Sequence, residues 1–404
     1  MNFKSVLLAG VAITGLSQAA AAQEALHFIN CGSDDAAEAA VQAEYVAAWQ
    51  AENPGFEVNM EYVPWGQCQE KAITLASAGA PAAMAYLGSR ALPQLAEAGL
   101  IRPVELSEEE AASYEPSVLS TVQFDGNTWG VPRAFSTRGL FYNKDLFAEA
   151  GLDMPDGPQT WEDMMTASKA ITEKTGARGL GIAAASFDNT MHQFLSWFYA
   201  NGGQVIDADG KVVFNSPEAV ETFQFYADMV PYVQDGPVAY ERGKLEPLFA
   251  DGQIAMMQQS FGFRARTGDV NYGVTWIPTG PSGEGHSTLL ISDSLAVFEG
   301  SGVEDAAMSL AKFLTATERQ AQFDDIGGWT PVRDTELTRA LPEKDPNWAY
   351  FLGSVADGGP EPQVVDYTAM QDVMNEAIQG VLLAEVTPEE AAAEVADELE
   401  SLID

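Results

Sequence analysis

Ala25-Leu26-His27-Phe28-Ile29, the helical spacing of Ala39, Ala40, Ala43, Val46, Ala47 and Trp49, and then Phe56-Glu57-Val58-Asn59-Met60-Glu61-Tyr62-Val63 together decide the fold. The first stretch is short and apolar, as a buried strand is. The second, over residues 35–50, puts its apolar groups on one helical face and opens with acidic residues, which the helix dipole favours. The third alternates with period two. Strand, helix and strand in succession predict a parallel sheet covered by helices. A helix over 67–79 and the apolar run Ala82–Leu87 repeat the unit. Open sheets of this kind bind ligands beyond the carboxyl ends of their strands, so the turns after these strands are the first place to look for a site.

Working outward, Val122-Gln123-Phe124 and Thr128–Pro132 predict a hairpin around Asp125-Gly126-Asn127. Leu140-Phe141-Tyr142 reads as a buried strand, with a helix over 144–150. Thr160 is an N-cap for the next helix, with Asp163 three residues on as a capping-box variant. A second α/β region follows: strand Gly179–Ala183, a helix over 190–200, a hairpin over Val205–Phe214 and a helix over 217–230. Further strands fall at 252–257, 270–276 and 288–297, with a helix over 303–314. The stretch 334–362 is rich in Pro, Asp and Gly, and 367–404 forms two helices split at Thr387-Pro388.

The N-terminus reads as a separate object. Lys4, the apolar run Val6–Leu16 and Ala20-Ala21-Ala22 form an export signal, with cleavage expected before Gln23. The run is too short to span a bilayer, which takes about 20 apolar residues. The mature protein is therefore expected to be exported and soluble. Cys31 follows Phe28-Ile29-Asn30, which is no lipobox. Cys31 and Cys68, both expected just after strands, can pair in an oxidising compartment, and the sequence leaves bridged and free forms open.

The 404 residues are 46% hydrophobic and 20% charged, enough for two or three domains and incompatible with a disordered chain. Twenty Lys and Arg face 59 Asp and Glu, a formal net charge of −39. Such a surface lacks the phosphate-neutralising charge that nucleic-acid binding needs. The sequence contains no dinucleotide fingerprint, phosphate loop, His-Glu-x-x-His or nucleophile elbow. Its histidines, His27, His192 and His286, have no second His or Cys at metal-ligand spacing, so neither a metal site nor a cofactor is expected. Asp207 and Asp209 lack the remaining ligands of a calcium loop and read as a turn.

Polar or aromatic clusters recur after predicted strands: Cys31-Gly32-Ser33-Asp34, Trp65-Gly66-Gln67, Gly88-Ser89-Arg90, Phe187-Asp188-Asn189 and Ser260-Phe261-Gly262. An aromatic face packs on the C–H patches of a sugar while short polar groups bond its hydroxyls, so these clusters suit a carbohydrate. Trp49 and Trp161 sit on helix faces and read as core. Trp65, Trp197 and Trp329 adjoin polar residues or glycine and are candidates for stacking on a ligand.

Val63-Pro64-Trp65-Gly66-Gln67, Trp129-Gly130-Val131-Pro132, the block from Phe135 through Tyr142-Asn143-Lys144-Asp145-Leu146-Phe147 to Leu152, and Gln159-Thr160-Trp161-Glu162-Asp163 occur in order. So do Asn201-Gly202-Gly203, Phe214–Val220, Phe249–Met257 and Ala311–Thr315. Together they resemble the family 1 extracellular solute-binding proteins of bacterial ABC importers, the group that contains maltose-binding protein. The resemblance implies a two-lobed α/β fold that closes on a ligand by a hinge. Residues 23–132 and about 290–335 would form the N-terminal lobe, and about 133–289 with 336–404 the C-terminal lobe. Crossings are expected near 132–137, 289–294 and 329–362.

The resemblance further implies a monomeric periplasmic protein that presents a small-molecule carbohydrate to ABC permease subunits and does no chemistry. A secreted carbohydrate-active enzyme is the alternative, and a surface adhesin is disfavoured by the lack of repeats. On matching positions the resemblance nominates Ser33, Trp65, Gln67, Ser89, Arg90, Arg138, Asn189, His192, Ser260, Gly262, Asp293, Trp329 and Arg333 as ligand contacts. Arg90, Arg333 and His192 are the expected source of a local positive spot for a ligand with an anionic group.

Overall fold

The computed structural model describes residues 23–34, 36–207 and 209–403; the expected export signal lies outside them. The strands are β1 (Glu24–Cys31), β2 (Phe56–Val63), β3 (Met84–Gly88), β4 (Gln123–Phe124), β5 (Asn127–Thr128), β6 (Val131–Ser136), β7 (Gly139–Asn143), β8 (Arg178–Gly181), β9 (Ile254–Gln259), β10 (Tyr272–Thr275), β11 (Leu289–Val297) and β12 (Gly359–Pro360). The first sheet runs β12-β11-β3-β1-β2, with β6 also on β11. β1 is parallel to β2 and β3, from Glu24 opposite Phe56 to Cys31 opposite Val63. β11 returns antiparallel to both β3 and β6. The second sheet runs β10-β7-β9-β8, parallel only between β8 and β9.

Each sheet has its own core. Phe28, Trp49, Leu87, Leu295 and Phe298 belong to the first. Leu140, Trp161, Phe194, Trp197, Phe223 and Ile378 belong to the second. The helix Asp188–Ala200 is buried at every position except Asn189, so it runs through the second lobe as a core element. Local chemistry sets many boundaries. Asp125 and Gly126 both have positive φ, 51° and 74°, as a tight hairpin turn requires. Thr160 Oγ1 accepts from Asp163 N while Asp163 Oδ2 accepts from Thr160 N, closing the capping box.

The hairpin over 205–214 is present in short form: Ile206 bridges Val212 antiparallel, Val213 N donates to Val205 O and Asp207 N to Lys211 O, and Asp207 Oδ1 accepts from the amides of Asp209 and Lys211 in the turn. Two expectations are corrected. Cys68 lies inside the helix Trp65–Ser77, not after a strand, yet it is bonded to Cys31. Register explains how: Cys31 sits opposite Val63, and the helix begins two residues later. Trp197 is fully buried beside Phe225, 5.3 Å between ring centres, so it cannot stack on a ligand.

The lobes are joined where β6 runs into β7 through Thr137 and Arg138, and along β11, which pairs with β6, β3 and β12. Thr137 Oγ1 donates to Phe351 O at 3.0 Å and lies 3.0 Å from Thr330 Oγ1. Phe135 bridges Thr330. These bonds tie the first crossing to the later segment around 330–351.

Candidate functional site

The turns after β1 and β2 face the end of β9 and the start of the helix Arg242–Ala250, and between them lies a cavity of about 730 Å³. Its walls include Asn30, Ser33, Tyr62, Trp65, Tyr86 and Trp329 on one side, and Arg242, Glu246, Ser260, Gly262 and Arg266 on the other. Trp65 is half-buried and meets Tyr86 edge-on, 5.6 Å between ring centres. The Trp329 indole N–H has no partner among the described residues. Two indoles among short polar groups provide what a sugar ring needs: apolar faces and donors or acceptors around them.

Beside this cavity the lobes meet through a buried ionic cluster. Arg90, directly after β3, donates from Nη2 to Asp188 Oδ2 at 2.9 Å and from Nη1 to Asp293 Oδ1 at 3.5 Å. Glu361 Oε1 lies 3.7 Å away from Nη1. That same oxygen is 2.7 Å from His192 Nε2 and accepts from Tyr367 OH at 2.8 Å. Asn189 Nδ2 donates to Asp188 Oδ1. Gly88 makes the arrangement possible, since a Cβ there would lie 2.2 Å from Arg90 Nη1.

Burial pushes all three carboxyls up, and their neighbours decide the outcome. Arg90 and His192 bring Asp188 and Glu361 below the usual carboxylate range. Asp293 is opposed by Glu361 and Asp188 as well as helped by Arg90, and it rises to about 6. Burial lowers Arg90, but Glu361 and Asp188 more than restore it and hold its charge.

Of the nominated residues, Ser33, Trp65, Ser260, Gly262 and Trp329 line the large cavity. Arg138, Asn189 and His192 line a small pocket next to it. Arg90 and Asp293 are in the ionic cluster, and Ser89 Oγ bonds Ser292 and Ser294 beneath it. Gln67 is exposed and outside both walls. Arg333 bonds Ser113 Oγ, Tyr114 OH and Thr315 O and stacks on the Tyr114 ring, so it pins a loop. The expected positive spot from Arg90, Arg333 and His192 is therefore corrected: all three are committed to internal partners. Sequence reasoning did not single out Arg242, Glu361 or Tyr367; only Asp188 stood in a quoted cluster.

The sequence profile of the bacterial extracellular solute-binding proteins matches residues 32–321. The chain belongs to this family. A relative in Brucella abortus (strain 2308), named only as a binding protein, is 27% identical over 412 residues, 100% of this chain and 98% of its own. The sn-glycerol-3-phosphate-binding periplasmic protein UgpB of Rhizobium meliloti (strain 1021) is 26% identical over 314 residues, 71% of this chain and 72% of its own. Maltose-bound MalE3 of T. maritima superposes with a TM-score of 0.83 at 24% identity, over 94% of this chain and 99% of that one. An ABC transporter solute-binding protein of Thermotoga lettingae TMO, bound with α-D-tagatose, gives 0.84 at 24% identity, over 95% and 100%. The fold is the two-lobed one of periplasmic binding proteins. Among the described residues no helix is long and apolar enough to cross a membrane.

In a solute-binding protein the lobe-to-lobe contacts define the closed form, and Gly262 makes one. A Cβ at Gly262 would lie 2.4 Å from the Gly327 carbonyl oxygen on the opposite wall. Gly262→Ala is expected to hold the lobes apart and weaken ligand binding about tenfold or more, as overpacking by about 1–3 kcal/mol implies. Small-angle scattering of the ligand-saturated variant should give a larger radius of gyration than the wild type. Unchanged radius and affinity would show that the closed form does not depend on this approach.

Proposed function

We propose that the protein is the capture component of a bacterial ABC importer. It closes its lobes on a carbohydrate in the periplasm, works as a monomer, and presents the closed form to the permease. It needs no cofactor, engages no nucleic acid and leaves the ligand chemically unchanged. The observation that carries this reading is the interlobe cavity of about 730 Å³ with Trp65 and Trp329 in its walls. Its size falls within the usual range for small-ligand sites. The sugar-bound structures of similar fold support a carbohydrate, and the UgpB relatives support a polyol or its derivative. Closure is stabilised only by a ligand that binds the closed form better than the open one.

The test is a thermal-shift screen of refolded, ligand-free mature protein against sugars, polyols, glycosides and their charged derivatives. A binder at 100 times its Kd should add about 2.7 kcal/mol of apparent stability. Recovery of the compound unchanged supports capture. Turnover of any compound overturns the reading in favour of an enzyme.

A further inference from the structure

Beside the large cavity lies a pocket of about 10 Å³, the room of one water-sized group, and its walls are rich in donors. Arg138, in the crossing between β6 and β7, donates to Ser136 Oγ and has no carboxylate partner among the described residues. Arg242, the first residue of its helix, has neither a hydrogen-bond nor an ion-pair partner among them. Gln258, on β9 and only 3% exposed, leaves its Nε2 without an acceptor. These three side chains line the same pocket.

The nearby carboxylates are already engaged. Asp188, Asp293 and Glu361 face Arg90. Glu246, one turn along from Arg242, accepts from Arg266 and from Gln259 Nε2. Burial lowers Arg138 and Arg242 lowers it further, while Asp293, Glu361 and Asp188 act from a distance in the other direction; it settles at about 9 and so remains charged at neutral pH. Two like charges and an unpaired amide donor in a confined space are mutually unfavourable until an acceptor arrives. Buried polar groups are almost always paired, so this convergence of donors calls for an acceptor.

We infer that the carbohydrate or polyol taken up carries an oxyanion, and that Arg138, Arg242 and Gln258 hold one of its oxygens in the small pocket while the rest of the ligand fills the larger cavity. Arg242 lines both spaces, which makes the pocket an annex of the cavity. Guanidinium groups suit the task, since they bond planar carboxylate and tetrahedral phosphate or sulfonate oxygens in pairs. The inference rests on the capture function proposed above and names its ligand class. The net charge of −39 is no obstacle, because these groups act at short range inside a site screened from the outer surface.

The test uses matched probes titrated calorimetrically into the mature protein: glucose beside glucuronate, glucose 6-phosphate and 6-deoxy-6-sulfoglucose, and glycerol beside glycerol 3-phosphate. At least one anionic probe should bind 30-fold or more tighter than its neutral counterpart, and the arms distinguish carboxylate, phosphate and sulfonate. Arg242→Gln, at a half-buried site, should reduce that preference at least tenfold. Arg102→Gln, at a surface ion pair, should leave it intact. Arg138→Gln should act like Arg242→Gln, and the latter stands alone if the buried substitution fails to fold. Neutral probes binding as tightly as anionic ones, or a preference that survives Arg242→Gln, would overturn the inference while leaving the capture function in place. Heat from no probe at all would overturn both.

Discussion

Arg90→Met is expected to lower the stability of the protein by about 3–5 kcal/mol at pH 7.5, the range for removing one partner of a buried ionic network. Arg90 is 3% exposed and faces Asp188, Asp293 and Glu361, all buried. Methionine fills much of the space but leaves the three carboxylates with His192, Tyr367, Tyr86 and Asn189 as hydrogen-bond partners and Arg242 and Arg138 as the cations still nearby. The pH dependence separates lost charge from lost packing. In the wild type, Asp188 and Glu361 are held below their ordinary values, so their stabilisation is present above the unfolded pKa and disappears as pH falls through the folded one. Asp293 behaves oppositely: raised to about 6, its contribution is full below its ordinary value and is lost as pH rises past 6. Without Arg90, burial dominates all three carboxyls and each follows the pattern of Asp293. The deficit of the variant should therefore be largest near pH 7.5 and shrink towards pH 4.5. Urea unfolding at the two pH values measures it, and an equal deficit at both would assign the loss to packing.

The same cluster shows where sequence reading stops. β1, β2 and their intervening helix were legible as elements because burial imposes a period: β2 alternates half-buried and exposed from Phe56 to Met60. The face expected for the helix is corrected, since Ala39, Val46 and Trp49 are buried but Ala40, Ala43 and Ala47 are exposed, and Val41, Gln42 and Tyr45 complete the buried face instead. Cavity residues such as Ser33, Trp65 and Ser260 were legible because chain topology puts the turns after strands at the mouth of the cleft. Arg242 offers no such signal. It lies in Glu241-Arg242-Gly243-Lys244, which reads as a solvated charged stretch, and Pro247 inside the following helix disguises the helix. Glu361 lies in a Pro- and Gly-rich segment and meets His192 across 169 residues of chain. A charged residue carries no local mark of whether its partner is water or another residue, so Arg90, bound internally, and Arg138, with spare donors, look alike in sequence. Only three-dimensional placement distinguishes them.

Opening the Cys31–Cys68 bond by the paired substitutions Cys31→Ala and Cys68→Ala is expected to remove about 4 kcal/mol, the loop-closure estimate for a separation of 37 residues. The bond closes the loop that runs from the last residue of β1 through the helix Ala39–Glu52 and β2 to the start of the helix Trp65–Ser77. The loop joins the paired strands β1 and β2, so its release should lower the unfolding midpoint of the protein in denaturant. The consequence reaches the site as well. Cys31 is two residues from Ser33 and Cys68 three from Trp65, and both neighbours line the cavity. Both sulfur-bearing residues are buried, so the bridge anchors these two parts of the wall from behind. Without it the helix start can move against the end of β1, and part of the order that a ligand finds ready-made must be restored on binding. Affinity should fall severalfold in the substituted protein, together with the midpoint. A lowered midpoint with unchanged affinity would mean that packing of Trp65 against Tyr86 alone holds the wall. An unchanged midpoint would mean that the unfolded chain gains little freedom when the bond is absent.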